Sequence, residues 1–333
     1  MKKQISLILI FVAWASWSHA QIKLGGDTIL SFAAIEEARQ ILTAQDDFVQ
    51  RMSPFDRAAR LKTGSDVSET DYLDFAGKNI LAWDDNEKQK ITAALQSLQE
   101  EFKTLPLPFP KKIVLIKTTG KEEGDAAYTR ANAIILPESQ LKAPGEALQK
   151  LICHELFHIL SRQNPELRDE LYTAIGFVAC DEIEFPEELK ARKITNPDAP
   201  ANDHCIRLKV DDAEHWAIPI LFSKTEKYDV ARGGEFFNYL QFKLLLVQRD
   251  DDSSAVKPLY DGATPRLIDP NDASGFFEQI GQNTSYIIHP EEILADNFVL
   301  LVLHESGVRS PEILEKMDKI LKENKSAAQS DGH

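Results

Sequence analysis

The stretch Leu151-Ile152-Cys153-His154-Glu155-Leu156-Phe157-His158-Ile159-Leu160 constrains the chain more than any other, because it sets two histidines and an acid inside an otherwise apolar run. Leu148, Leu151, Ile152, Leu156, Ile159 and Leu160 recur at helical spacing, with Pro144 as a first-turn residue and Pro165 as a stop, so a helix with one buried side is expected. On that helix His154 and His158 stand one turn apart on one face and can aim ring nitrogens at a single metal ion. Glu155 falls on the flank of the face, in reach of a proton on a water held there. The competing reading is a pair of hydrogen-bonded core histidines beside a solvated acid.

A zinc site of this kind takes a third protein ligand and keeps one position open. The segment His289-Pro290-Glu291-Glu292-Ile293-Leu294-Ala295-Asp296-Asn297-Phe298 reads as a helix start, with Ile293, Leu294, Phe298 and Leu301 on its buried side. Glu292 and Asp296 are again four apart. One carboxylate can bind the metal while the other accepts the remaining N–H of a ligating histidine and fixes its tautomer. Glu166 and Glu170 are the alternatives for the third ligand, being close to His158. They open a charged segment in which acids favour the helix N-terminus without any metal.

His154-Glu155-x-x-His158 followed by Glu292-x-x-Ala295-Asp296 resembles the gluzincin, thermolysin-like branch of the zincin metallopeptidases, with its H-E-x-x-H and E-x-x-x-D pattern. The resemblance covers two helices. It implies Zn2+ held by His154, His158 and Glu292, Glu155 as general base, Asp296 as the orienting acid and a peptide or protein substrate. The chain departs from thermolysin in the long connection between His158 and Glu292. The fold class expected on these grounds is α+β and zincin-like: the H-E-x-x-H helix packed on a mainly antiparallel sheet, with a β-rich insertion before the third-ligand helix.

Residues 1–20 read as a signal peptide: Lys2 and Lys3, an apolar run from Ile5 to Trp17, then Ser18-His19-Ala20, with cleavage after Ala20. The expected location is secreted or periplasmic, with no stable membrane insertion after cleavage. Loss of Lys2 and Lys3 takes the formal charge from −15 to −17. So acidic a surface argues against nucleic acid as a partner. In an exported chain Cys180 and Cys205 are the favoured disulfide pair, across a loop containing Asn196-Pro197-Asp198-Ala199-Pro200, whereas Cys153 reads as a buried small hydrophobe.

Beyond the signal, residues 21–107 read as a helical region, with Ile91, Leu95, Leu98 and Phe102 as one stripe and no cluster of catalytic residue types. Residues 108–180 hold strands and the H-E-x-x-H helix. Within them residues 127–136 have the position of an antiparallel edge strand able to receive extended substrate, or of an ordinary sheet strand. Residues 181–281 form the β-rich insertion, with Asp269-Pro270-Asn271-Asp272 read as a turn in preference to a calcium loop. Residues 282–321 carry the third-ligand helix and a last helix, and residues 322–333 a flexible tail.

The expected activity is hydrolysis of peptide bonds through a zinc-activated water, with Glu155 moving the proton. Tyr286 and His289, then His204, His215 and Tyr239, are candidate donors to the developing oxyanion. Two other classes fit the same residues: a zinc hydrolase of a non-peptide amide, and a non-catalytic zincin-like binding protein. An intact Glu155 argues against the second.

Overall fold

The computed structural model describes residues 21–105, 107–250 and 253–330. The proposed signal peptide lies outside these residues. The chain is α+β with mainly antiparallel sheets. A hairpin opens it, β1 (Gln21–Gly25) and β2 (Thr28–Phe32), followed by four short helices, α1 to α4 (Ile35–Leu42, Asp47–Arg51, Pro54–Arg60, Glu69–Lys78). Next come β3 (Ile80–Leu81), α5 (Asp85–Thr104), β4 (Lys112–Thr118), β5 (Tyr128–Arg130), β6 (Ala133–Pro137), α6 (Gly145–Gln163) and α7 (Pro165–Ala174). A second run of strands follows: β7 (Phe177–Ala179), then after the short α8 (Glu187–Lys190), β8 (His204–Val210), β9 (Ala213–Ser223), β10 (Leu240–Arg249) and β11 (Val256–Pro258). The short β12 (Tyr260–Asp261), β13 (Thr264–Pro265) and β14 (Leu267–Ile268) lead into α9 (Phe276–Ile280), α10 (Pro290–Val302) and α11 (Pro311–Ser330).

The first sheet runs β1-β2-β4-β6-β5, with β3 also paired to β4. Its centre is parallel, β2 with β4 and β4 with β6, while its margins are antiparallel. The sheet under the H-E-x-x-H helix is therefore mixed. Parallel strands are buried on both faces, which is why Ile113-Val114-Leu115-Ile116 is continuously apolar and not alternating. Ile113 and Leu115 enter the main core with Ile134, Leu136 and the apolar sides of α5 and α6. Val114 and Ile116 face the other way, against Ala38 and Leu42 of α1.

The hairpin β1-β2 corrects the helical reading of residues 21–107. Gly26, at φ +51, makes the tight turn, and Ile29 to Phe32 pair in parallel with β4. So short an apolar run leading into a helix has no periodicity that separates strand from helix. The stripe Ile91, Leu95, Leu98 and Phe102 is buried as expected, on α5, which is opened by an Asp84/Glu87 capping box and lies along α6. Residues 127–136 prove to be a hairpin, turned at Ala131 (φ 51), with β5 the sheet edge and β6 inside.

The second sheet, β11-β10-β9-β8-β7 with β14 also on β10, is antiparallel and alternates. Ile206, Leu208, Leu244 and Leu246 join the main core, whereas Cys205, Ile218, Ile220 and Leu245 form a second cluster on the far face. The two sheets thus share one core. Gly176, at φ +85, turns the chain from α7 into β7. Cys180 and Cys205 are free thiols, so the expected bridge is not formed. Cys180 lies just past the last paired position, Ala179 with His204, beside Cys205 and not opposite it. Cys153 is buried, and burial pushes its thiol well above the ordinary range.

Helix α10 is buried on nearly all sides, as an apolar run with few polar breaks must be. Phe298 stacks on Phe102 of α5 at 6.3 Å between ring centres and meets the tilted ring of Phe157 of α6 at 5.5 Å. Full burial of such a ring stabilises by about 1.5–3 kcal/mol. This contact fixes α10 against α6. The last helix continues to Ser330, past the expected loose tail at Lys322, and Lys322 pairs with Asp318 one turn back at 2.5 Å. Residues 331–333 lie outside the described residues. Asp269 caps a single 3-10 turn at Pro270–Asp272, accepting from Asn271 N, as the turn reading requires. No helix among the described residues is long and apolar enough to cross a membrane.

Candidate metal centre

His154 and His158 project from the middle of α6 and meet the first turn of α10. Glu292 Oε2 lies 3.2 Å from His154 Nε2 and 3.6 Å from His158 Nε2. Ligands about 2.0–2.1 Å from a tetrahedral zinc stand about 3.4 Å from one another. The three side chains are thus spaced as ligands of one ion, and their candidate ligand atoms all lie within 4.8 Å of one another. His158 Nε2 is fully buried with no hydrogen-bond partner among the described residues. An orphaned buried nitrogen is costly unless something absent satisfies it, and a cation does so.

Each of these three side chains is held from behind. His154 Nδ1 is 3.0 Å from Asp296 Oδ1, and Thr284 Oγ1 donates to the other oxygen of Asp296. His158 Nδ1 is 2.9 Å from Glu291 Oε1, while Glu291 Oε2 accepts from Ser161 Oγ at 2.7 Å and Tyr172 OH at 2.5 Å. With both Nδ1 atoms protonated towards carboxylates, both Nε2 lone pairs face the shared point. Glu292 Oε1 accepts from Asn196 Nδ2 at 2.5 Å, which leaves Oε2 to face the histidines.

The electrostatics favour a cation. Burial opposes a charged imidazole at His158, yet Asp198 and Glu292 nearby raise it to about 9. Burial also opposes ionisation of Glu292, but His158 and His154 hold its carboxyl down to about 2. Glu155 is buried, one of its oxygens has no partner among the described residues, and burial, with Asp198 beside it, pushes its carboxyl up to about 8. Several buried carboxylates thus crowd two imidazoles, and a divalent cation would relieve that crowding.

The site opens into a cleft of about 580 Å³ whose walls include Ala126, Ala127, His154, Glu155, Tyr286 and Glu292. Of the candidate oxyanion donors only Tyr286 lines it. His289 is buried as the N-cap of α10, its Nδ1 accepting from Glu291 N at 3.1 Å. His204 is held between Asp203 and Asp169. Tyr239 OH donates to backbone carbonyls, and His215 borders a separate pocket with Trp216. Glu166 and Glu170 are exposed on α7, where Glu170 accepts from Asn324 Nδ2 of α11 at 2.9 Å.

Glu291, Asn196 and Asp198 join the site although no sequence pattern marks them. Asn196 and Asp198 come from the loop after α8. Arg162 of α6 clamps that loop, donating to Pro197 O at 3.2 Å and Asp198 O at 3.1 Å. A buried ion network fixes its start. Arg60 donates to Glu123 at 2.8 and 2.6 Å and pairs with Asp56, and Asp56 Oδ2 accepts from Thr195 N at 2.9 Å. The helical region thus holds a polar cluster after all, one that anchors the loop without reaching the cleft. Its only sequence signal is the i, i+4 spacing of Asp56 and Arg60, which also suits a surface pair.

No family model, curated protein or solved structure matches the chain.

Proposed function

We propose that the protein is an exported zinc metallopeptidase of the zincin type. Support comes from one observation: His154, His158 and Glu292 converge at ligand spacing beside the buried, unpartnered oxygen of Glu155, at the wall of an open cleft. Zinc bound by the three would acidify a water and polarise a carbonyl. Glu155, ionised once a cation sits beside it, would take a proton from water in the cleft and return it to the departing amine. Tyr286, which lines the same cleft, donates to the oxygen on which charge develops. Asp296 and Glu291 keep the two imidazoles in the tautomer whose Nε2 is free.

The deciding experiment pairs metal analysis with one substitution. The purified chain should carry about one zinc, and Glu155→Gln should retain it while losing nearly all turnover of a peptide library. A chain that takes up no metal on titration, or a Glu155→Gln variant that turns over normally, rejects the reading.

A further inference from the structure

The cleft does not run the length of the sheet edge. Ala126 and Ala127 line it, but Thr129, further along the edge, is already engaged: its N–H donates to Asp198 Oδ1 at 2.7 Å and its hydroxyl at 2.6 Å. Beyond Asp198 a separate cavity begins, bordered by Arg130, Ala131 and Arg162. Asp198 is therefore the end wall of the metal cleft. A peptide laid on the edge next to Ala127 cannot continue past Thr129, because Asp198 occupies the hydrogen-bonding position that the next substrate residue would need.

The chemistry of that wall decides which end of a peptide meets it. The Asp198 side chain is 8% exposed, Thr129 takes only Oδ1, and Oδ2 has no hydrogen-bond partner among the described residues. Asp198 borders the cleft, and a carboxylate there attracts an ammonium and repels a carboxylate. Strand direction agrees. A substrate strand antiparallel to β5 has its N-terminal end opposite the Thr129 end of β5, where Asp198 stands. The reach agrees as well. Candidate ligand atoms of Glu155, His158 and Asp198 lie within 4.8 Å of one another. The nitrogen and carbonyl carbon of one residue are about 2.5 Å apart, so a single residue spans from Asp198 to the hydrolytic groups.

Resting on the metallopeptidase reading, we infer that the enzyme acts on free peptide N-termini, removing the first residue, with Asp198 Oδ2 as the anchor of the α-ammonium group. Water adds across the first peptide bond, its hydroxyl going to the carbonyl carbon and its proton, by way of Glu155, to the departing amine. The products are a free amino acid and a peptide one residue shorter. A small pocket bordered by Leu240, Phe237 and Ile288 adjoins the same end of the cleft and suits an apolar first side chain.

The test compares Leu-Gly-Gly with its N-acetyl form, by calorimetric binding to zinc-loaded Glu155→Gln full chain. The free amine should bind about 10-fold or more tightly. Adding Asp198→Asn, which keeps an acceptor for Thr129 N, should abolish the difference with zinc content and melting temperature unchanged. Equal binding of the two peptides overturns the inference and needs no Asp198 variant. So does a preference that survives Asp198→Asn in a folded protein. If the wild type cleaves internal bonds of acetylated peptides as fast as first bonds of free ones, hydrolase activity stands and the anchor falls. If it cleaves no peptide yet still prefers the free amine through Asp198, the anchor stands and the peptidase reading falls.

Discussion

Asn196 donates its side-chain amide to Glu292 Oε1 at 2.5 Å, across 96 residues of sequence, and so decides which oxygen of Glu292 faces His154 and His158. The contact joins a loop that sequence patterns leave undefined to the first turn of a buried helix. It also separates Glu292 from its alternatives, since Glu170 is exposed and bonded to Asn324.

Removal of Glu292 should therefore release the metal, whereas removal of Glu170 should not. Glu292→Ala is expected to lose zinc during purification. Asn196→Ala and Asp296→Ala, which loosen a ligand from behind, should each weaken zinc affinity or activity by about 10- to 100-fold. Chelator competition measures all four, and zinc lost on Glu170→Ala but kept on Glu292→Ala would make the contact between α6 and α10 ordinary core packing.

Tyr286 is the only one of the five oxyanion candidates that lines the cleft. Tyr286→Phe removes the donor and keeps the ring. Turnover should fall by about 100-fold with KM and zinc content nearly unchanged, as expected for an interaction made only as charge develops. A rise in KM at constant kcat would instead make Tyr286 a binding surface.

The legible part of the site is the part written at helical spacing. His154 and His158, and Glu292 and Asp296, each stand four apart in an apolar setting, so spacing alone places each pair on one helix face. Glu291 is not legible, because its neighbour Glu292 already satisfies the pattern and only the approach of α6 shows that both acids are used. Asn196 and Asp198 sit among prolines that signal a turn and nothing about what the turn touches. Similarly, the parallel pairing of β2 with β4 across five intervening helices leaves no local trace in Ile29-Leu30-Ser31-Phe32. What local spacing does not encode is long-range pairing.

Acid lability should trace in part to His289. It is buried, and burial lowers its imidazole to about 4, against 6.5 for an ordinary histidine, while its unprotonated Nδ1 caps α10 by accepting from Glu291 N. The folded state thus resists a proton that the unfolded chain takes up. The stability tied to this group is fully present above about pH 6.5 and is lost as the pH falls from there towards 4, a loss of up to about 3 kcal/mol. His289→Asn keeps a capping acceptor and removes the titration, so the variant should lose less stability than the wild type between pH 6.5 and 4. Urea unfolding of both proteins at matched zinc and stepped pH measures this, because protonation of the metal ligands is common to the two and cancels in their difference. Parallel stability curves across that window would mean that His289 takes up its proton without unfolding the cap, and that acid acts on the metal ligands alone.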